Sequence, residues 1–400
     1  MICKISGKKI KPFMSFGEMP IANGFLKKKN FNKEFFFKME VGFSKDFSLF
    51  QLNDHPTPKL MFNKNYPFFT SSSKYMLNHF KDYSLWIKKN YFNKINNVIE
   101  IGSNDGSFLE NFKSPKIRTL GIEPSKNVAD LAKKNGINTI NEFFSFKTTK
   151  KLKKFIKKTD IIIAANVICH IPNLKDLIRG VDNLLTKNGL FIFEEPYLGS
   201  MYEKTSYDQI YDEHIFMFSA TSVKKIFDLY NFELIDVLPQ TTHGGSMRYV
   251  IARKDTHKIK NNVFKQLRYE TLRGIDTIKG CLKFKKNCEV SKIKLKKKID
   301  IILKKGKNIA GYAATSKSTT ILNYCGINSN HIDFICDTTS NKIGKFTPRT
   351  HIPIVEMDYF RNNIPDYTFL FAWNHKKEIF NKEKKLLKKT KWIAHVNLKK

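Results

Sequence analysis

Val98-Ile-Glu-Ile-Gly-Ser-Asn-Asp-Gly-Ser-Phe-Leu109 reads as a short buried strand, a glycine turn and the opening of a helix. Gly102 and Gly106 let the backbone approach a ligand closely, and Asp105 stands between them. A dinucleotide-binding turn carries G-x-G-x-x-G, so that a helix N-terminus cradles a pyrophosphate. Here the spacing is G-x-x-x-G, with Glu100 before the turn and Asp105 inside it. Carboxylates at that place repel phosphate and suit a ligand that carries an ammonium group and a ribose. The next strand ends in Gly121-Ile-Glu-Pro-Ser125, which sets Glu123 where doubly wound folds hold ribose hydroxyls.

S-adenosylmethionine has both an ammonium group and a ribose. It is therefore the expected cofactor, with Glu100, Gly102, Ser103, Asn104, Asp105, Gly106 and Glu123 as its site. Outward from this turn, strands and helices alternate. Strands are expected at 119–122, 139–141, 160–165, 189–194, 234–238 and 247–252. Helices are expected at 73–91, 125–135, 148–157, 174–185 and 222–230. This alternation predicts a parallel sheet with helices on both faces. Before it lies a loop-rich opening module with a strand-like run at 35–43. After it, residues 256–305 read as lysine-rich helix without a sharp turn signal, leading into a second α/β pattern. The expected domains are a substrate lobe over 1–70, a cofactor domain over 71–255, and linker helices with a smaller Rossmann-like α/β domain over 256–400.

Composition narrows the function. The 400 residues include 71 Lys and Arg against 36 Asp and Glu, a net charge of +35. The basic residues run through every segment alongside many Asn, Ile and Phe, which marks solvated faces rather than a nucleic-acid patch. A positive field favours capture of an anionic small substrate. The opening Met1-Ile-Cys-Lys-Ile-Ser has no apolar leader core, and the apolar run 161–171 is too short to span a bilayer. A cytoplasmic monomer without membrane or nucleic-acid partners is expected. The six cysteines form no CxxC pair and read as buried thiols.

The densest polar cluster is Tyr207-Asp-Gln-Ile-Tyr-Asp-Glu-His214. Imidazole ordinarily titrates near neutrality, which makes His214 the expected general base, with Glu213 and Tyr211 placed to orient or polarise it. Asn166 and His170 follow the fourth strand, at the crevice where such folds bind ligands. A third cluster, Thr242-His-Gly-Gly-Ser-Met-Arg248, offers His243, Arg248 and backbone N–H groups freed by Gly244 and Gly245 to anionic oxygens.

These residues resemble the three-domain S-adenosylmethionine-dependent C-methyltransferases that branch nucleotide-linked deoxysugars. The resemblance runs nearly end to end. It takes in Phe16-Gly-Glu-Met-Pro-Ile-Ala-Asn-Gly24, Tyr66-Pro-Phe-Phe-Thr-Ser-Ser-Ser73, Glu100–Gly106, Glu195-Pro-Tyr-Leu198, Tyr207–Tyr211 and Glu213-His214. It continues in His243-Gly-Gly-Ser246, Gly311-Tyr-Ala-Ala-Thr-Ser-Lys317, Leu322–Gly326, Gly344–Pro348, His351–Ile354 and Trp373-Asn374. It implies a class I methyltransferase core and deprotonation of a sugar carbon, C3, beside a 4-keto group, with the enolate accepting the methyl group, in bacterial surface-polysaccharide or deoxysugar biosynthesis. It also implies His214 as base, Tyr211 and Glu213 in support, and His170 and Asn166 facing the sugar, with Asn166 also among the expected cofactor-binding residues. Substrate contacts are expected from Tyr66, Ser71 and Ser72. An O- or N-methyltransferase on another small substrate, and a non-catalytic cofactor-binding scaffold, are the competing readings.

Two departures stand out. The family's opening module binds structural zinc through two CxxC pairs, whereas the matching positions here are Cys3, Ser6, Ser44 and Phe47. No metal is expected, and the lobe is expected to rest on its phenylalanines. Asp212 stands where the family has histidine.

Overall fold

The computed structural model describes residues 1–64, 66–91 and 95–398. Its centre is a seven-stranded sheet, ordered Phe232–Gln240, Ser246–Arg253, Leu185–Pro196, Thr159–Ala165, Asn97–Ile101, Arg118–Ile122 and Thr139–Ile140. The inner strands are continuous apolar runs because both faces are covered. Ile99, Ile101, Ile162 and Ala164 enter one core, and Val98, Ile161 and Ile163 enter another on the opposite face. The sheet is mixed rather than parallel throughout. Ser246–Arg253 runs antiparallel to both neighbours, because the strand before it, Phe232–Gln240, joins it as a hairpin.

Two helical expectations are corrected. The helix expected at 148–157 spans Phe146–Leu152, opened by a Ser145–Thr148 capping box. Beyond its end Phe155 turns outward, 59% exposed, while Ile156 enters the core. The lysine-rich stretch forms two helices, Asn261–Arg273 and Ile278–Lys304. Gly274 at φ 64° ends the first, and Thr277 caps the second by accepting from the Gly280 N–H.

The opening lobe is a four-stranded antiparallel sheet: Pro12–Pro20, Phe36–Ser44, Leu49–Leu52 and Phe216–Met217. Pro12–Pro20 is a strand although its Gly and Pro read as loop punctuation. Gly17, at φ 77°, sits at a register shift in the pairing with Phe36–Ser44, and Phe13, Met14, Phe16 and Met19 stay buried. The fourth strand comes from the central domain, immediately after His214. The C-terminal unit is a five-stranded parallel sheet, ordered Ile354–Val355, Ile335–Cys336, Ile309–Tyr312, Tyr367–Leu370 and Lys391–Ile393. Among the described residues no helix is long and apolar enough to cross a membrane.

Candidate active site

All three units line one cavity of about 1070 Å³. Its first wall is formed by the carboxyl ends of Asn97–Ile101, Arg118–Ile122 and Thr159–Ala165. Gly102 turns at φ 68°, and a Cβ there would lie 2.4 Å from Val167 Cγ2, so the turn admits only glycine without rearrangement. Glu123 Oε1 accepts from the Ser125 N–H at 2.7 Å and Oε2 from the Asn104 N–H at 3.0 Å. Those bonds fix its carboxylate and leave lone pairs toward the cavity. Glu100 Oε2, Ser103 Oγ and Asn166 Oδ1 are buried without a hydrogen-bond partner. Burial, then Asp105 and Glu123, push the Glu100 carboxyl well above its usual range. A wall of acceptors that lacks donors fits a ligand bringing an ammonium group and hydroxyls.

A buried cluster of titratable side chains lies beside it. His214 Nδ1 is 2.7 Å from the Gln209 carbonyl oxygen, which only accepts, so Nδ1 carries the proton. Nε2 therefore accepts from the Tyr211 O–H at 2.7 Å. Burial, reinforced by His170, holds the His214 imidazolium form well below its ordinary pKa. The ring is neutral at physiological pH because it is buried, not because its pKa lies near neutrality. His170 stacks on it at 5.4 Å and is itself held down to about 3 by burial. Phe62 covers the far face of His170, also at 5.4 Å. Glu213 accepts from Asn23 Nδ2 at 2.7 Å and from the Tyr66 hydroxyl at 3.5 Å. Burial raises both Glu213 and its neighbour Asp212 above the usual carboxylate range.

The ligand atoms of Cys169, His170 and His214 lie within 4.8 Å of one another. They do not suit a metal. Burial and Glu195 hold the Cys169 thiol protonated, and both nitrogens of His214 are engaged.

Matches to known proteins extend along the chain. Residues 3–62 match a zinc binding domain family, 72–237 a methyltransferase domain family, and 241–396 a C-methyltransferase C-terminal domain family. The C-methyltransferase NovU of Streptomyces niveus is 28% identical over 377 residues, covering 94% of this chain and 90% of NovU. Along nearly its whole length the chain is similar to C-methyltransferases. This methyltransferase uses S-adenosylmethionine, and carbon methylation replaces the O-methyl, N-methyl and scaffold readings. Solved structures resemble part of it. A Pyrococcus horikoshii protein aligns at TM-score 0.38 and 16% identity, over 46% of this chain and 94% of its own. The magnesium protoporphyrin IX methyltransferase of Synechocystis, solved with bound SAM, aligns at 0.33 and 13%, over 44% and 79%.

In the methyltransferase, Glu100, Gly102, Ser103, Asn104, Glu123, Asn166, His170, Tyr211, Glu213, His214, Tyr66, Ser72 and His243 all line the cavity. Several other expected contacts are corrected. Asp105 does not line it: its carboxylate accepts from the Ser71 N–H at 2.8 Å and the Ser107 hydroxyl at 2.6 Å, tying the glycine turn to the 70–73 segment. Ser71 thus contributes its backbone to Asp105, not a side chain to substrate. Gly106 packs against Ile137, where a Cβ would sit 2.8 Å away. Gly244 lies against the Trp373 ring, where a Cβ would meet Cη2 at 2.3 Å. Arg248 is buried away from the cavity, paired with Glu194 at 3.1 Å and lying 3.4 Å from the Tyr83 ring centroid.

Sequence reasoning missed Asn23, Phe62, Lys317 and Lys342, which line the cavity, and Glu195, which accepts from the Val167 and Ile168 N–H groups at 2.9 and 2.6 Å. Ala22-Asn23-Gly24 and Thr315-Ser-Lys317 stood within the resembling motifs, but nothing in their spacing shows that they meet.

Proposed function

We propose that the carbon methylated is C3 of a 4-keto, nucleotide-linked deoxysugar, and that this methyltransferase serves cytoplasmic assembly of a branched sugar for bacterial surface polysaccharide or a related glycoside. The opposed polarity of the cavity walls carries the reading. Across from the acceptors of the first wall, the C-terminal unit presents Thr315, Ser316 and Lys317 at the start of helix Ser316–Cys325, with Thr338, Thr339, Ser340 and Lys342 beside them. Lys317 is buried, 3.4 Å from Asn374 Oδ1. Lys342 Nζ donates to the Ala314 carbonyl at 2.7 Å and lies 3.8 Å from Asp337. Cations and hydroxyls at a helix N-terminus suit a diphosphate. The Tyr211–His214 pair stands between the walls, where a hexose would lie.

The cofactor supplies an electrophilic methyl group. The chain supplies the rest. A proton α to a ketone passes to His214 Nε2, directly once Tyr211 yields its place or through the Tyr211 oxygen as its own proton moves to Nε2. The Gln209 carbonyl holds Nδ1–H and stabilises the imidazolium formed. His170 presents an unpaired Nε2 to the sugar. Asn23 and Tyr66 keep Glu213 oriented toward the same space.

The test is solvent exchange. In deuterium oxide without methyl donor, the enzyme is expected to exchange C3–H of a nucleotide-linked 4-keto-6-deoxyhexose, and with donor to give a C3-methyl product. His214→Ala is expected to lose both by about 10²–10⁴-fold while S-adenosylmethionine affinity stays unchanged. Methyl product on oxygen, or wild-type exchange rates in His214→Ala, overturns the assignment.

A further inference from the structure

The opening lobe matches a zinc binding domain family, yet the residues at the ligand positions do not fit the ion. Structural zinc takes four thiolate or imidazole donors. Here there are one thiol, two hydroxyls and a phenyl ring. The geometry points to a metal-free lobe that keeps both ligand turns and has replaced the ion with hydrogen bonds and packing, so that the zinc site is latent and three substitutions rebuild it.

The turns themselves persist. The Gly7 N–H donates to the Cys3 carbonyl at 2.9 Å, with Gly7 at φ 73° directly after Ser6. In the second turn the Ser48 N–H reaches the Lys45 carbonyl at 3.4 Å, and Ser48 takes φ 49° directly after Phe47. Each four-residue turn is thus followed by a left-handed residue, serine in one case where glycine is the usual occupant. The turns face each other. Lys8, just beyond the first, pairs with Asp46 of the second at 2.9 Å, and Cys3 and Ser44 are both buried. Phe47, at the fourth ligand position, packs against the central core, as does Ile5.

Other contacts do what the ion would do for rigidity. Buried Gln51 clamps the first turn, accepting from the Lys4 N–H at 3.0 Å and donating to the Ile2 carbonyl at 2.9 Å. Leu49–Leu52 pairs with Phe216–Met217 of the central domain. On the far side Glu34 meets His351 at 2.7 Å, and the His351 ring stacks on Phe31 at 3.6 Å. The Ala22 N–H donates to Asp212 at 3.0 Å, while the Ala22 carbonyl accepts from the Thr319 hydroxyl at 2.8 Å. A lobe docked on both neighbouring units does not depend on an internal ion.

The experiment uses the full chain, with cobalt(II) as probe and elemental analysis for zinc. The native protein is expected to purify without stoichiometric zinc, to keep its melting temperature and turnover in a strong chelator, and to show no thiolate-to-cobalt charge-transfer band. The triple variant Ser6→Cys, Ser44→Cys, Phe47→Cys is expected to bind cobalt one to one, with the visible spectrum of a tetrahedral thiolate site, and to gain chelator-sensitive melting. Stoichiometric zinc in the native chain, or chelator-induced melting of it, overturns the metal-free reading whatever the variant does. A folded triple variant that shows no tetrahedral cobalt spectrum overturns the latent geometry. Should the triple variant not fold, Cys3→Ser in the native background decides: a metal-held lobe unfolds, whereas a hydrogen-bonded one retains native turnover and melts only slightly lower.

Discussion

Replacing Arg248 with methionine separates two readings of the same residue. Read from its neighbours in sequence, the guanidinium would hold a substrate anion, and its loss would raise KM. In the structure it is 4% exposed, bonds Glu194 Oε2 through Nε at 3.3 Å and through Nη2 at 3.1 Å, and lies between the rings of Tyr83 and Trp86 at 3.4 and 4.6 Å. Burial alone would raise the Glu194 carboxyl, but His79, Arg248 and the Thr242 hydroxyl outweigh it and hold it below its usual value. Methionine fills the aliphatic volume and strands Glu194 Oε2, while Oε1 keeps His79 and Thr242. Breaking a buried pair from one side costs about 3–5 kcal/mol, which for a domain of this size is on the order of 10 °C in melting temperature. Urea unfolding followed by tryptophan fluorescence reports the loss, and steady-state kinetics on the folded fraction report KM. The variant is expected to unfold early with an unchanged KM. Adding Glu194→Gln removes the stranded charge and is expected to restore most of the stability. An Arg248→Met protein with native unfolding and a tenfold higher KM would falsify the structural role.

Three further outcomes are expected. Gly102→Ala places a methyl group into Val167 at a left-handed position, so it is expected to abolish S-adenosylmethionine binding measured by calorimetry, even where the fold survives. Lys317→Ala is expected to raise KM for the nucleotide sugar by about 10–100-fold, the worth of a hydrogen bond to a charged group, with cofactor affinity unchanged and partial recovery in Lys317→Arg. Burial depresses His170 to about 3 and His243 to about 3, so NMR titration is expected to find both neutral as pH falls from 8 to 5. The unfolded chain takes up those protons near pH 6.5. Each residue therefore contributes stability that is complete above that pH and falls by about 1.4 kcal/mol per unit below it. A His170 or His243 titration near 6.5 in the folded enzyme would overturn the burial argument.

The central domain was legible because its strands are continuous apolar runs and its glycine turn has one spacing. The acids Glu100 and Glu123 could be placed from strand ends alone. The opening strand Pro12–Pro20 was not, since a bulge at Gly17 shifts the register there and glycine in sequence looks the same in a loop. Orientation was harder still. Arg248 sits on a strand whose residues alternate between two faces, and only the packing of Tyr83 and Trp86 from the helix Lys74–Tyr91 decides which face is covered. The expected near-neutral His214 failed for a related reason: a pKa is set by surroundings brought from distant segments, here His170 and the walls of the cavity. Lys317 and Asn23 lie in quoted motifs, yet their approach to one cavity from opposite ends of the chain leaves no trace in local periodicity.

The segment from Tyr207 to Met217 explains why three units serve one reaction. Asp208 accepts from Trp373 Nε1 at 2.7 Å and contacts His395 at 3.0 Å, both in the C-terminal unit. The Ile210 carbonyl accepts from the Thr320 hydroxyl of that unit at 2.9 Å. Asp212 and Glu213 hold Ala22 and Asn23 of the opening lobe, and the Ile215 carbonyl accepts from the Leu52 N–H at 2.8 Å. His214 therefore stands on a strip of backbone pinned from both sides, although the strip belongs to the central domain. Proton transfer tolerates little displacement, because geometry off by about 1 Å costs on the order of 10²-fold. With His214 as the proposed base, the outer units position it as well as lining the cavity, and loosening either one at these contacts is expected to lower kcat before it alters cofactor affinity. Thr320→Val tests this at a distance from the reacting atoms: it removes one hydroxyl bond to Ile210 and is expected to reduce solvent exchange at the sugar carbon while leaving S-adenosylmethionine binding intact. Unchanged exchange in that variant would confine the C-terminal unit to gripping the substrate.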